Sequence, residues 1–167
     1  VQTCALPICY YTKANGYASH SEGRFTIANG DYSSASGYYN FANSVYSRAE
    51  GAFTITYGDF SHAEGGFTTA NGHGSHSEGY LTLASGYYSH AEGEYTKAIG
   101  QSSHAQGSGT TANGTVSFAS GIGSVAQSNG SFIHSENSLV TGQRSVVLGG
   151  QNITGSTNDT VYVPRSE

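Results

Sequence analysis

The chain has 167 residues, 24 of them glycine, with 10% charged residues and a net charge of −5. Glycine occurs at about twice its usual share of roughly 7%, and charged residues at less than half of their usual share of about 25%. The small net charge excludes a charge-driven disordered chain. The six Lys and Arg residues are scattered along the chain, and without a basic stripe we expect no nucleic-acid partner. No apolar run approaches the roughly 18 residues that span a bilayer, so we expect no direct membrane insertion.

Glycine recurs every seventh residue from Gly16 to Gly149. Of the 20 positions in this series 17 are glycine, and the exceptions are Ser44, Ser128 and Ser135. The surrounding unit reads Ser/Thr-x-Ala-x-Gly, often after an aromatic residue, so small side chains alternate with others. Alternation with a period of two is typical of a β-strand, whereas a glycine in every heptad would cost a helix about 1 kcal/mol each. The heptad therefore predicts a strand and not a coiled coil.

Two kinds of heptad alternate, so the full repeat has 14 residues. One kind reads Ser-His-Ala-Glu-Gly, as at 61–65, and the other reads Thr-x-Ala-Asn-Gly, as at 68–72. We predict that each heptad supplies a strand of about five residues and a corner of about two, so that two strands make one coil. Coils about 4.8 Å apart would make residues 10–149 a rod of about ten coils, roughly 48 Å long. The predicted fold is an all-β parallel roll, a solenoid of 14-residue coils.

The alternating pattern leaves two choices for the face that points inward. If Ser, Thr and Ala point inward, the interior is narrow and filled by small groups. The opposite choice would bury a column of glutamates with the histidines beside them, at a cost of several kcal/mol per charge. We therefore expect the small residues to form the interior.

An apolar stripe lies on one outward face of the predicted roll, at about one residue per coil. Its members are Ile27, Phe41, Ile55, Leu83, Val125 and Leu139. Such a stripe on a monomer would be an aggregation hazard, and packing against copies of the same chain would remove that hazard. The stripe therefore predicts an obligate oligomer, most simply a homotrimer of parallel rods with these residues at its interface. In the last coils Val146 and Leu148 lie on the His/Glu face instead, so that face is the alternative interface there.

The repeat resembles the head repeats of trimeric autotransporter adhesins. The resemblance rests on the Ser-x-Ala-x-Gly unit in its 14-residue frame and on Ser145-Val146-Val147-Leu148-Gly149, and it covers about residues 10–149. The Ser-His-Ala-Glu-Gly variety is similar to repeats of phage tail fibres and related bacterial surface proteins. The resemblance implies a left-handed parallel β-roll packed as a trimer, in a non-enzymatic head that binds a host or surface receptor, glycan or protein. It also implies a location on the virion or the bacterial cell surface. The His/Glu positions depart from the family, whose heads usually place Val and Ile there.

Both ends of the chain leave the repeat. Residues 1–9, which contain Cys4 and Cys9, look like a translated sequencing-adaptor artefact; a disordered stretch and a genuine N-terminal strand are the alternatives. Residues 150–167 contain a turn-rich segment followed by Thr160-Val161-Tyr162-Val163-Pro164, which is typical of a strand. We expect 150–167 to begin a connector to a stalk or a following domain.

The sharpest candidate for chemistry is a His/Glu ladder on one outward face. It consists of His20, Glu22, Arg48, Glu50, His62, Glu64, His76, Glu78, His90 and Glu92, and continues with His104 followed by Gln106. One interpretation is a charge-paired surface ladder that relieves stacked like charges. The other is a metal or ligand site, since imidazole and carboxylate suit divalent metals. If the pairs are ionic, acidification to about pH 5.5 should strengthen them by charging the histidines.

A second candidate is a series of outward aromatic residues. It comprises Phe25, Tyr32, Tyr39, Tyr46, Phe53, Phe60, Phe67, Tyr88 and Tyr95. These rings could pack between subunits and cover the corners, or they could bind sugars and partner proteins.

Because the repeat places Ser, His and Glu identically in successive coils, it makes a lattice and not one preorganised catalytic site. We therefore expect no enzyme, no cofactor and no dedicated metal, with a metal-binding or enzymatic module on the His/Glu face as the alternative.

Overall fold

The structure is a computed structural model that describes residues 9–164. Those residues contain 22 strands and no helix. The strands form two parallel sheets of eleven strands each, in which each strand between the two sheet ends pairs with the strands two before and two after it. The chain is therefore an all-β parallel solenoid, as predicted, and each coil contributes one strand to each sheet. What was predicted for residues 1–8 and 165–167 lies outside the described residues.

The two strands of a coil differ in length. The long strands, which form one sheet, are β2 (His20–Arg24), β4 (Ser34–Tyr38), β6 (Arg48–Ala52), β8 (His62–Gly66), β10 (His76–Tyr80), β12 (His90–Glu94), β14 (His104–Ser108), β16 (Phe118–Ile122), β18 (Phe132–Glu136) and β20 (Val146–Gln151), closed by the short β22 (Val161–Tyr162). The second sheet consists of two-residue strands: β1 (Lys13–Ala14), β3 (Ile27–Ala28), β5 (Phe41–Ala42), β7 (Ile55–Thr56), β9 (Thr69–Ala70), β11 (Leu83–Ala84), β13 (Lys97–Ala98), β15 (Thr111–Ala112), β17 (Val125–Ala126), β19 (Leu139–Val140) and β21 (Thr154–Gly155). The prediction of two equal strands per coil was therefore wrong.

The Asn-Gly heptads end their strands early because the chain turns there. After β9, the amides of Asn71 and Gly72 both donate to the carbonyl of Ala84 at 2.8 and 3.3 Å, which ends the regular hydrogen-bond ladder. The amide of Ser75 then donates to the carbonyl of Gly72 at 3.1 Å and closes a tight turn. In the other heptads the glycine lies within the strand: Gly65 in β8 has a φ of +101°, a conformation that glycine adopts readily.

The interior has the predicted composition. Alanines such as Ala63, Ala91 and Ala105 are fully buried, and so are the threonines and serines that alternate with them, such as Thr68 and Ser89. The side chains of the glutamates point outward. The prediction that small residues fill the roll is therefore confirmed.

The C-terminal coils have a larger apolar filling. Where earlier coils place alanine, these coils place Ile133, Val140 and Val147, which are fully buried. A register shift between His134 and Glu136 pairs Glu136 with Gln151, and the sheets then continue to Thr154–Gly155 and Val161–Tyr162. The pattern of the sequence changes after 149, but the two sheets extend past that point into the segment assigned above to a connector.

Candidate functional site: the histidine and glutamate rows

The long-strand sheet aligns the His/Glu ladder in register. Strand pairing places His76 beside His62 and His90, and Glu78 beside Glu64 and Glu92. Two columns result, which we call the histidine row (His62, His76, His90 and His104) and the glutamate row (Glu50, Glu64, Glu78 and Glu92). Arg48 precedes the histidine row in the same register.

His20 and Glu22 stand apart from these rows. The next coil places Ser34 and Ser36 beside them, so among the described residues this pair has no charged neighbour in register. The Nε2 of His20 lies 3.4 Å from a carboxylate oxygen of Glu22, and more than half of each side chain is exposed. The structure therefore brings together only the part of the predicted ladder from Arg48 to Glu92, with His104 at its end.

The rings of the histidine row stack on one another. The ring centroids of His62 and His76 are 4.8 Å apart with 1° between the ring planes, and those of His76 and His90 are also 4.8 Å apart, at 20°. His104 follows at 4.7 Å from His90, with a tilt of 44°. Stacking at the spacing of the parallel strands holds the four Nε2 atoms along one edge of the column.

That edge faces the glutamate row. The Nε2 of His62 lies 3.5 Å from Glu50 and 4.0 Å from Glu64. The Nε2 of His76 lies 3.4 Å from Glu64 and 3.9 Å from Glu78. Each of these two histidines is thus placed between the carboxylates of its own coil and of the preceding coil. Histidine nitrogens and carboxylates therefore alternate along the rod in the way that the predicted charge pairing requires, and whether the histidines carry charge depends on their pKa.

The Nε2 atoms are shielded from solvent and have no hydrogen-bond partner among the described residues. This holds for all four members of the histidine row, although about a third of the His62 side chain remains exposed. Carboxylate oxygens at 3.4 Å or more approach these nitrogens without good hydrogen-bond geometry. The row therefore presents a line of desolvated imidazole nitrogens with unused coordinating capacity.

Burial and crowding lower the pKa of two members of the histidine row, His62 and His90. Burial lowers the pKa of His62 below the ordinary histidine value, and the neighbouring His76 lowers it further, while Glu64 and Glu50 oppose the shift. Burial also lowers the pKa of His90, with contributions from His104 and His76 against the opposing Glu92 and Glu78. Desolvation and mutual repulsion thus outweigh the carboxylates.

These pKa directions reverse the expectation that acid strengthens the ladder. A histidine with a lowered pKa binds fewer protons in the folded state than in the unfolded chain, so the free energy of unfolding falls as the pH drops. The loss begins near the ordinary pKa of about 6.5 and ends at the lower pKa of the folded state. We expect the melting temperature, measured with a chelator present, to fall by a few degrees between about pH 7.5 and about pH 5.5.

The control keeps the stacked rings and removes two of the titrating groups. A double variant, His62→Phe with His90→Phe, should show a smaller fall over the same pH range. Phenylalanine suits these positions because Phe118 and Phe132 already continue the same column, with centroids 4.8 Å apart. A melting temperature that rises toward acid, or an equal fall in the variant, would contradict this account.

Phe118 and Phe132 were not singled out in the sequence, although their positions in the 14-residue frame carried the signal. Phe118 lies beside His104 in register, and the two ring centroids are 5.0 Å apart. The column therefore changes from titratable to apolar rings while the stacking continues. This change marks the C-terminal end of the histidine row.

An open groove runs beside the glutamate row, and sequence reasoning missed it. It has a volume of about 670 Å³ and follows the glycines of successive long strands from Gly65 to Gly121. Its other lining residues are Glu64, Glu78, Glu92, Gln106, Ser120 and His134. The groove exists because the glycines leave a strip without side chains next to the carboxylates. Along the rod, the residues that line it change from glutamates to the uncharged Gln106 and Ser120.

The apolar stripe lies on the sheet of short strands. Its members are in register wherever they occupy neighbouring coils, as Ile27 with Phe41 and Val125 with Leu139, and all six are half-buried. Thr69, Lys97 and Thr111 occupy the same column and interrupt it. The structure therefore divides the predicted stripe into an N-terminal and a C-terminal patch, with Leu83 between the interruptions.

The outward aromatic residues form two columns at two different corners. One column contains Phe25, Tyr39, Phe53 and Phe67, with successive ring centroids 4.5 to 5.4 Å apart. The other contains Tyr32, Tyr46 and Phe60, at 4.8 and 5.1 Å. All of these residues have a positive φ between 54° and 58°, and stacking worth about 0.5–1.5 kcal/mol per pair helps to offset the cost of that conformation.

Stacking also restricts what the aromatic columns can bind. The ring faces within each column cover one another, so mainly edges and tyrosine hydroxyl groups face the solvent. A sugar that stacks on an aromatic residue needs a free ring face. The geometry therefore favours the role of corner packing over sugar binding for these residues.

The fold defines the chain as a parallel β-solenoid with outward columns of like side chains. Comparison with known proteins adds no relative, since no family model matches the chain and no curated protein matches it. Within the described residues, no helix is long and apolar enough to cross a membrane.

Proposed function

We propose that this chain is a non-enzymatic structural and attachment section of a trimeric fibre, on a phage tail or a bacterial cell surface. In this proposal the roll is left-handed, three parallel copies pack through the apolar stripe, and the outward surface beside the stacked aromatic columns binds a host or surface receptor, glycan or protein. Three copies of a repeating surface would bind by many weak contacts at once.

The observation that carries the proposal is the uniform stacking of the coils. Two eleven-stranded sheets run the length of the described chain, and equivalent residues recur in register from coil to coil. In a solenoid of this kind each repeat contacts only its neighbours, and added repeats lengthen the molecule along one axis. Such an architecture supplies reach and rigidity, which a fibre needs, and does not converge on one reaction centre.

The trimer is supported by the position of the apolar stripe. A narrow interior of alanine and serine buries little apolar area, and an isolated two-sheet roll of this width gains little from it. The half-buried Ile27, Phe41 and Ile55 lie on the sheet of short strands, where a second copy could cover them. Association would bury the area that the interior lacks.

The test is the oligomeric mass of the chain by light scattering, with a matched pair of charged variants. We expect a trimer for the parent chain. The double variant Ile55→Lys with Leu83→Lys should dissociate it, because two buried ammonium groups would oppose the interface. The control, Gln101→Lys with Thr115→Lys, adds the same charge at exposed corner positions and should remain trimeric. A monomeric parent chain, or a stripe variant that stays trimeric, would overturn the proposed assembly.

A further inference from the structure

The histidine and glutamate rows contain two groups of side chains with metal-ligand spacing. His62, Glu64 and His76 can each direct one ligand atom to a common point, with all of these atoms within 4.8 Å of one another. His76, Glu78 and His90 form a second group by the same measure. Each group joins two neighbouring coils of the long-strand sheet.

The distances are close to those of a tetrahedral site. Ligands about 2.1 Å from a zinc ion lie about 3.4 Å from one another in tetrahedral geometry. In the first group, the Nε2 of His76 lies 3.4 Å from Oε1 of Glu64, and the Nε2 of His62 lies 4.0 Å from Oε2 of the same carboxylate. The two Nε2 atoms lie within 4.8 Å of each other, so tilting of the stacked imidazoles by at most about 0.7 Å at each Nε2 brings them to tetrahedral spacing. A change of that size is within the freedom of partly exposed side chains.

The nitrogen atoms are also free to coordinate. The Nε2 atoms of His62, His76 and His90 are shielded from solvent and make no hydrogen bond with the described part of the chain. A desolvated ring nitrogen without a partner costs free energy unless something binds it. Neutral imidazole and carboxylate together are the ligand set of many zinc sites.

We propose that His62, Glu64 and His76 bind one divalent transition-metal ion of the zinc type, with His76, Glu78 and His90 as an alternative position for the same ion. Solvent completes the coordination. The site links β8 to β10, or β10 to β12 in the alternative position, and so joins consecutive coils. This inference goes beyond the proposed fibre role and does not depend on it, since a single chain supplies all of the ligands.

The shared histidine sets the stoichiometry. Both groups use the Nε2 of His76, and one nitrogen atom coordinates one ion, so these two groups together bind one ion and not two. The row is bounded by Arg48 on one side and by Phe118 on the other, neither of which is a metal ligand.

The experiment is a zinc titration of the tag-free full chain, pretreated with chelator, by calorimetry and by competition with a chromogenic chelator. We expect one ion per chain. Cobalt in place of zinc should show the intense visible bands of a tetrahedral site. His76→Phe should weaken zinc binding by at least about 100-fold, since the loss of a ligand costs no less than the loss of an outer partner. The control His20→Phe removes a histidine of the same column that has no second histidine beside it, and zinc affinity should remain unchanged.

Three results would overturn the site. They are the absence of saturable binding, equal affinity in His76→Phe and the parent chain, and equal losses in His76→Phe and His20→Phe. Circular dichroism of each variant checks that the fold is retained. If His76→Phe fails to fold, the cobalt spectrum of the parent chain and its loss in Glu64→Gln/Glu78→Gln decide the question, with an unchanged spectrum counting against the site.

Discussion

Replacing Gly72 by alanine is expected to destabilise the solenoid by about 4 kcal/mol or more, and to lower its melting temperature by roughly 8–16 °C. A Cβ atom at Gly72 would lie 2.5 Å from the carbonyl carbon of Gly86 in the next coil, and closer still to its oxygen. The obstacle is backbone, which cannot rotate away as a side chain can. Ser44 and Ser128 occupy the equivalent place in their coils, and neither amide donates to the next coil as that of Gly72 does, so a Cβ atom here is admitted only where that contact is lost. Neighbouring coils would have to separate, and the effect would spread along a stack whose stability comes from contacts between repeats.

The matched control is Gly66→Ala. A Cβ atom at Gly66 meets first the Cδ2 atom of Tyr80, at 3.2 Å, and this ring can shift. The preceding coil already has Ala52 in register with Gly66. Thermal unfolding should therefore show little change for Gly66→Ala. Similar melting temperatures for the two variants would mean that close stacking at the Asn-Gly turn does not limit stability.

Filling the interior of a central coil should have the second largest effect. Ala91→Ile is expected to destabilise the fold by about 3 kcal/mol, the upper part of the range for overpacked cores. Ala91 is fully buried within a column of buried alanines, with Ser77 and Ala105 in register on either side. The two sheets would have to move apart to admit three further carbon atoms, which should lower the melting temperature by roughly 6–12 °C.

Thr69→Ile is the control for this change. It introduces the same side chain on the outward column that contains Ile55, so it adds apolar surface without entering the interior. Denaturant unfolding should leave this variant as stable as the parent chain or slightly more stable. An Ala91→Ile variant that unfolds at the same denaturant concentration as Thr69→Ile would show that the interior has unfilled space.

The C-terminal coils show that the roll can be wider when its sequence demands it. Ile133, Val140 and Val147 occupy interior positions that hold alanine elsewhere. These coils also carry the register shift between His134 and Glu136 and the apolar end of the ring column. The interior of each coil is therefore filled by the side chains that its own sequence supplies, which are small in the central coils.

The amino-acid sequence by itself determined the solenoid, its 14-residue coil and the inward face. These follow from local alternation: a residue such as Ala63 shares its face with Ser61, and burying the other face would bury Glu64. It also placed the histidines and the apolar stripe in columns, because residues 14 apart in a regular coil lie side by side.

Other features were decided by the tertiary structure alone. Both kinds of heptad have the alternation of a five-residue strand, yet the Asn-Gly turn shortens one strand of each coil because Gly72 approaches the backbone of the next coil. The acid response of His62 depends on burial and on the ring of His76, and neither is written in the order of residues. The unpartnered Nε2 atoms and the two aromatic columns likewise arise because successive coils stack directly on one another. Interatomic distances and desolvation depend on how the coils stack, whereas the pattern of a sequence specifies only which residues share a face.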